Sequence, residues 1–403
     1  MSENIRRYLT TLACILMGVA IGAVGMYTYL SGTMFPGTEH AEEIAASADK
    51  YVEILELADE YFIGEELDFT EINDAMAEAV VKALGDRWSY YITAEDYQAY
   101  LDNINNSYVG VGITITAQYD EAGNMLGYLV KEVSAGGPAE EAGVLAGDIL
   151  THANGTDVTT ITLEETKKIV KGEEGTTVDL TLLREGEPLV LTVERRAVAL
   201  IPAAGQLLNG TVGYIIIDNF DSGCADTVIG LIEDLKAQGA QSLLFDVRNN
   251  PGGLKRELTK LLDHLLPEGT VFHQIDYSGH EEKILSDENY VDMPMAVLVN
   301  GSSYSAAEYF ACAIREYDAG FIVGEKTFGK GYYQVGMQLS DGSCVNLSIG
   351  KYFTPNGESL IDVGVVPDME IVLADEQAAQ LTIGTLPVEE DPHIQAALKR
   401  LDP

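Results

Sequence analysis

Basic residues are scarce in this chain. Its 403 residues include 24 Lys and Arg against 64 Asp and Glu, a formal net charge of −40. Such a surface repels nucleic acid and anionic headgroups, which excludes polyanion binding as a main role. The acid is spread along the chain without a tail block, and it reads as a solubility adaptation. Cysteine is also sparse: Cys14, Cys224, Cys312 and Cys344, with no C-x-x-C pair. That excludes a zinc knuckle and a disulfide scaffold, although one bridge among the last three stays compatible with the spacing. None of the six histidines (His40, His152, His264, His273, His280, His393) sits in a Gly-rich turn or beside an evident carboxylate partner on a strand end. Each reads as a surface or loop residue, so a Ser–His pair has no local support. A true phosphate-binding loop is missing too. GEKTFGKG, residues 324–331, approaches G-x-x-x-x-G-K-[ST], but Gly331 replaces the magnesium-holding hydroxyl. The alternating pattern that follows predicts a strand, not the helix whose N-terminus would cradle phosphates.

What is present is ordinary folding material, 46% hydrophobic and 22% charged, enough for two or three domains. Residues 8–30 carry no charge and are long enough to span a bilayer. Arg6 and Arg7 before them, and Glu39, Glu42 and Glu43 after, predict a cytoplasmic N-terminus and an extracytoplasmic remainder. A cleaved signal peptide is the competitor, but the apolar run is long and no A-x-A site follows. The expected divisions are a stub and transmembrane anchor (1–35), a helical segment (36–107), a β-rich module with two short helices (108–198), an α/β block (199–373) and a tail with a short helix (374–403). In the helical segment Asp68 and Thr70 are cap candidates, and Thr162 caps a helix of the β-rich module. In the α/β block, TVGYIIIDNF, an amphipathic helix and SLLFDVRN form a β-α-β unit. Residues 332–355 alternate around Asp341-Gly342 and predict a hairpin.

Three stretches could carry chemistry. Lys330 lies between Gly329 and Gly331. An ordinary lysine, with pKa near ~10.4, is a poor base at neutral pH. Burial lowers that value by penalising the charged form. In NGSSYSAAEYF, Ser302, Ser303 and Ser305 stand between a buried strand and a helix. Serine there is often only an N-cap, yet a helix N-terminus also supplies free N–H groups for an oxyanion. FDVRNNPGGL ends a strand in a Gly-Gly turn that exposes backbone amides, or is simply a tight turn. A Ser–Lys pair is the reading favoured by context.

Together these stretches resemble the C-terminal processing peptidases, or tail-specific proteases, over nearly the whole chain after the anchor. NGSSYSAAE is similar to the family's N-x-x-S-A-S-A-S-E, GEKTFGKGYYQ to G-E-x-T-F-G-K-G-x-x-Q, and DVRNNPGG to D-L-R-x-N-P-G-G. The resemblance implies an α+β multidomain fold: transmembrane helix, helical segment, PDZ domain and α/β protease core. It implies Ser305 as nucleophile, Lys330 as base, Gln334 as the residue orienting that lysine, and the Gly252 and Ala306 amides as oxyanion hole. GVGI (Gly110, Val111, Gly112, Ile113) resembles the PDZ carboxylate-binding loop, supported by GPAEEAGVLAGDIL. The implied activity is a membrane-anchored, extracytoplasmic serine endopeptidase of a bacterial cell membrane, with no metal or other cofactor. Its partners would be proteins or peptides with free apolar C-termini, the membrane through residues 8–30, no nucleic acid, and further copies of itself in a homo-oligomer. A catalytically inactive PDZ scaffold is the alternative. Tyr304 and Ala307 depart from the family pattern, which has small residues or serine there.

Overall fold

The computed structural model describes residues 40–401 except Glu65 and Glu121. The expected membrane span at 8–30 lies outside them, as does Cys14; no described helix is long and apolar enough to cross a membrane. The chain divides into two units at residues 76 and 77. The first holds the helix Ala41–Tyr61 and the start of the helix Phe69–Ala83. Asp68 Oδ1 accepts the Thr70 and Glu71 N–H groups at 2.9 and 3.1 Å, so Asp68 caps that helix.

The second unit begins with a difference from expectation. Residues 41–105 have helical periodicity throughout, yet Tyr90–Ile92 is a strand paired with Cys344–Asn346. Gly85, at φ 71°, closes the preceding helix, and an aromatic pair then favours the sheet edge.

Next comes a β-rich module. Its sheet runs in the order Ile113–Tyr119, Met125–Val133, Ile149–Ala153, Thr177–Arg184, Glu187–Glu194. The alternation places Val130, Leu150, Val178, Leu180, Leu182 and Val193 in a fully buried core. Helix Leu163–Val170 has the reciprocal cap expected at Thr162: Glu165 accepts the Thr162 N–H at 2.8 Å and donates its own N–H to Thr162 Oγ1 at 3.2 Å. Its last carbonyls, Ile169 and Val170, accept from the buried Arg195 guanidinium at 2.8 and 3.0 Å. The chain enters and leaves this module through paired strands, Ser107–Gly110 and Arg196–Ala199.

The last block contains a largely parallel sheet. Its strands run Ala203–Leu208, Val212–Ile217, Ser242–Asp246, Met295–Val299, Gly320–Gly324, Met369–Glu370 in spatial order. Apolar runs such as MAVLV are buried on both faces, as central parallel strands require. Helices Cys224–Ala237, Lys255–Leu265 and Ala306–Glu316 share one hydrophobic cluster with it, and the C-terminal helix Pro392–Leu401 belongs to another. A second sheet holds the expected hairpin, Tyr332–Gln338 with Cys344–Phe353, and turns at Asp341-Gly342. Cys224, Cys312 and Cys344 are buried and free, so none of them bridges.

His393 is not a surface residue as expected. It is fully buried, its Nδ1 3.2 Å from Arg248 Nη1 and its Nε2 2.8 Å from the Ile371 carbonyl oxygen. Arg248 is clamped between Asp246 at 2.5 Å and Asp391 at 2.8 Å, all three side chains buried. This cluster ties the C-terminal helix to the strand Ser242–Asp246. Replacing Arg248 with Met leaves two buried carboxylates without their cation. We expect Arg248→Met to lose about 3–5 kcal/mol of stability, read as a lower urea midpoint.

Candidate active site

Three neighbouring parallel strands deliver the three stretches singled out in the sequence. Asp246 lies beside Leu298, and Val299 beside Gly324. The loop after Ser242–Asp246 carries Gly252, the loop after Met295–Val299 carries Ser305, and the loop after Gly320–Gly324 carries Lys330. Parallel sheets gather sites at these carboxyl ends, because every such loop emerges on the same edge. The register needs glycine at 324: a Cβ there would sit 1.9 Å from the Val299 carbonyl oxygen.

Among the candidate serines, the surroundings separate the roles. Ser303 is buried and its hydroxyl donates to the Val247 carbonyl at 2.7 Å, a structural bond. Ser302 is exposed. Ser305 lies at the N-cap of helix Ala306–Glu316 with φ 61° and ψ −121°, and its hydroxyl makes no capping bond. A non-glycine residue held there costs about 1–3 kcal/mol and persists only when its surroundings enforce it. They do so here. The helix behind it is buried from Ala306 to Ile314, with Phe310 packed against Phe220 and Phe245 at ring separations of 5.6 and 5.2 Å. On the other side Gly252, φ 90°, approaches so closely that a Cβ would lie 2.7 Å from Ser305 Cβ and 2.9 Å from the Ala306 nitrogen.

Glu308, one helical turn after Ser305, is fully buried. Its Oε2 accepts the Ser305 N–H at 3.0 Å and the Lys330 N–H at 2.9 Å. Its Oε1 accepts the Thr327 hydroxyl at 2.5 Å and the Gly329 N–H at 2.7 Å. The Ser305 and Lys330 nitrogens are therefore within about 6 Å of each other. Burial pushes the Glu308 carboxyl above its usual range, and the four donors pull it back.

Lys330 lies in the loop two residues ahead of the strand Tyr332–Gln338, the strand predicted to follow it. Its Nζ lies 4.5 Å from the centre of the Trp88 ring. Burial lowers its pKa to about 8, against the opposing pull of the Asp86 and Glu308 carboxylates. The Tyr352 phenol donates to the Lys330 carbonyl and is within hydrogen-bonding reach of the Ser305 hydroxyl. Ser305, Ala306, Lys330 and Gln334 all line one cleft of about 630 Å3.

Two expected arrangements differ. Gln334 lines the cleft, but its Nε2 donates to Ser348 Oγ at 2.9 Å and to the Tyr332 carbonyl at 3.3 Å, not to Lys330. A register shift between Tyr333 and Gln334 breaks the even-step alternation on which a shared face would rest. Of the two expected oxyanion donors, the Ala306 amide has no acceptor among the described residues, whereas the Gly252 amide donates to Asn250 Oδ1 at 2.8 Å. Gly110, Val111, Gly112 and Ile113 come together in a separate groove of about 350 Å3 between the edge strand Ile113–Tyr119 and helix Leu163–Val170.

Sequence reasoning passed over Glu308, Trp88 and Asp86. The only local signal for Glu308 was the S-x-x-E spacing of a capping box from Ser305. We expect Glu308→Gln to lower the melting temperature, equivalent to about 2–4 kcal/mol, because an amide cannot accept all four bonds and presents N–H to N–H. Differential scanning calorimetry of the whole chain checks it.

Comparison with known proteins agrees with this geometry. Peptidase family S41 matches residues 211–371, and a PDZ domain matches residues 129–184. A "Probable CtpA-like serine protease" of Staphylococcus saprophyticus subsp. saprophyticus is 29% identical over 335 residues, covering 82% of this chain and 66% of the relative. Its counterpart in Staphylococcus aureus strain N315 is 29% identical over 308 residues, 75% of this chain and 61% of the relative. The chain thus spans a little under two thirds of the length of these relatives. A solved structure assigned to S41 from Bacteroides fragilis NCTC 9343 covers 84% of this chain, and 92% of its own, at TM-score 0.53 and 19% identity, and so shares the fold. The photosystem II D1 C-terminal processing protease is 27% identical, with the same coverages and TM-score 0.48. The S41 match takes in the strands and loops that carry Ser305 and Lys330, the PDZ match takes in much of the sheet before them, and over most of its length the chain is similar to CtpA-like serine proteases.

Proposed function

We propose that this chain is a serine endopeptidase that captures the free, apolar C-terminus of a protein substrate in its PDZ groove and cleaves by a Ser305–Lys330 dyad. The observation that carries the reading is one buried carboxylate, Glu308, holding the backbones of Ser305 and Lys330 together beside a cleft in which the lysine titrates near 8. Neutral Lys330 takes the Ser305 hydroxyl proton as the oxygen attacks the peptide carbonyl. The Ala306 amide donates to the developing oxyanion, and the Gly252 amide joins once it gives up Asn250. The lysine then protonates the leaving amine, and water, deprotonated by the same lysine, hydrolyses the acyl-enzyme. Gln334 lines the same cleft without a hydrogen bond to this lysine.

In the groove, the Val111 amide has no acceptor among the described residues and the Gly112 amide donates to the Tyr108 hydroxyl, which suits capture of a terminal carboxylate once Tyr108 yields that bond. The edge strand Ile113–Tyr119 leaves one side open for a peptide strand. The apolar run at 8–30 supports an uncleaved anchor, with the catalytic part outside the cytoplasm.

Ser305→Ala and Lys330→Ala should each lower hydrolysis of a disordered, apolar-tailed protein by at least about a thousandfold. A lysine base works only when neutral, so kcat/KM should rise as pH passes through about 8 and level off above it. A profile flat across that range, or a fully active Lys330→Ala, would remove the lysine from the mechanism. A substrate ending in a carboxamide should show a higher KM than the free acid, since the groove loses the anion it holds; equal KM values would dismiss carboxylate capture.

A further inference from the structure

We propose that Trp88, braced by Tyr304 and Phe328, is the positioning residue that holds the Lys330 ammonium or amine toward Ser305, a place the sequence pattern assigned to Gln334. This rests on the Ser305–Lys330 reading above.

Gln334 spends its amide on Ser348 and Tyr332, and no hydrogen bond joins it to Lys330. The indole of Trp88 instead lies under the Lys330 Nζ at 4.5 Å, within the range of an attractive cation–ring contact. The ring is itself held. Phe328 meets it edge-on at 5.5 Å, Tyr304 tilts against it at 6.1 Å, and those two rings lie 5.7 Å apart. Tyr304 immediately precedes Ser305, and Phe328 precedes Lys330 by two residues. The aromatic trio therefore joins the nucleophile turn, the lysine turn and the segment ahead of the β-rich module.

That segment is fastened to the hairpin. The Trp88 N–H donates to Asp86 Oδ1 at 3.1 Å, and Ser89 Oγ donates to Asp86 Oδ2 at 2.6 Å. The Ser348 N–H in turn donates to Ser89 Oγ at 3.0 Å. Ser348 is also the residue that engages Gln334, so Gln334 supports the tryptophan loop rather than the lysine. The charged groups around Lys330 are the Asp86 and Glu308 carboxylates, which favour its ammonium, and Arg87, whose guanidinium lies 4.6 Å from the same indole. Tyr352 holds the lysine's backbone. Tyr304, a departure from the family pattern, acquires a reason: it fills the space beside the indole and stops the ring from turning.

The test compares Trp88→Leu with Trp88→Phe. Leucine keeps bulk and water exclusion but removes the ring face; phenylalanine keeps a face. In Trp88→Leu the alkaline plateau of kcat should fall about tenfold, with KM for a peptide within about twofold of wild type. The titration of Lys330 should move toward acid by about 0.5–1 pH unit, because the ammonium loses its ring while remaining dehydrated. Trp88→Phe should retain most of both properties. Competitive labelling of Lys330 with acetic anhydride, followed by mass spectrometry across pH in a Ser305→Ala background, reads the titration without any need for activity. An unmoved titration in Trp88→Leu would overturn the proposal. So would equal damage by Leu and Phe that tracks a common loss of melting temperature, which marks a packing role alone. If wild-type chain shows no Ser305-dependent hydrolysis, the protease reading falls while the labelling still decides whether Trp88 holds the lysine.

Discussion

A single buried carboxylate organises this molecule. Glu308 is fully buried in the first turn of a helix, and its charge is tolerated because four donors converge on it. Two come from the lysine loop, one from Thr327 just ahead of it, and one from the serine itself. A carboxylate suits this place because it only accepts; any group with a proton would meet N–H with N–H. The same anion also attracts the Lys330 ammonium, so it opposes the deprotonation a base requires. Desolvation outweighs that pull and leaves the lysine near 8. The site is thus a balance between a scaffold that needs a charge and a desolvated lysine that is pressed to lose one.

The frame around Glu308 is rigid where the chemistry needs it. Ser305 is held off its preferred backbone region by a wholly buried helix on one side and by Gly252 on the other. The Gly252 turn is in turn stitched to Phe220, whose N–H donates to the Gly252 carbonyl at 2.7 Å. Asn219, the preceding residue, exchanges side-chain hydrogen bonds of 3.1 and 2.9 Å with Asn106, at the base of the strand pair from which the PDZ module departs. The foot of the PDZ module and the back of the Gly252 turn are therefore in continuous contact. Behind the strand Ser242–Asp246, Arg248 and its two carboxylates fasten the C-terminal helix against the same edge.

Much of this was legible from local pattern. Period-two alternation marked the PDZ strands and the hairpin, buried apolar runs marked the parallel strands, and Thr162 and Asp68 announced helix starts that the hydrogen bonds bear out. The motifs around Ser305, Lys330 and Gly252 pointed to one cleft and one edge of one sheet. Where local pattern misled, a contact from far along the chain intervened. Tyr90–Ile92 left the helical register because residues 344–346 offered it a strand partner. His393 is buried because Arg248, 145 positions away, meets its ring. Gln334 turned from Lys330 because a register shift broke the alternation that its even spacing assumed.

The sequence by itself determined the elements, the order of the modules and the residue types available to the cleft, because periodicity and turn chemistry act over a few residues. The tertiary structure alone decided which partner each polar group takes. Glu308 became a clamp, Trp88 a platform for the lysine, Tyr304 a brace and Asn250 the acceptor of the Gly252 amide. These roles depend on parallel strands arriving side by side from positions 246, 299 and 324, and on a loop at 86–89 that is met across 259 residues by Ser348 of the hairpin. Hydrogen bonds and ring contacts act over a few ångströms, and no local pattern records which distant residues fall within that reach.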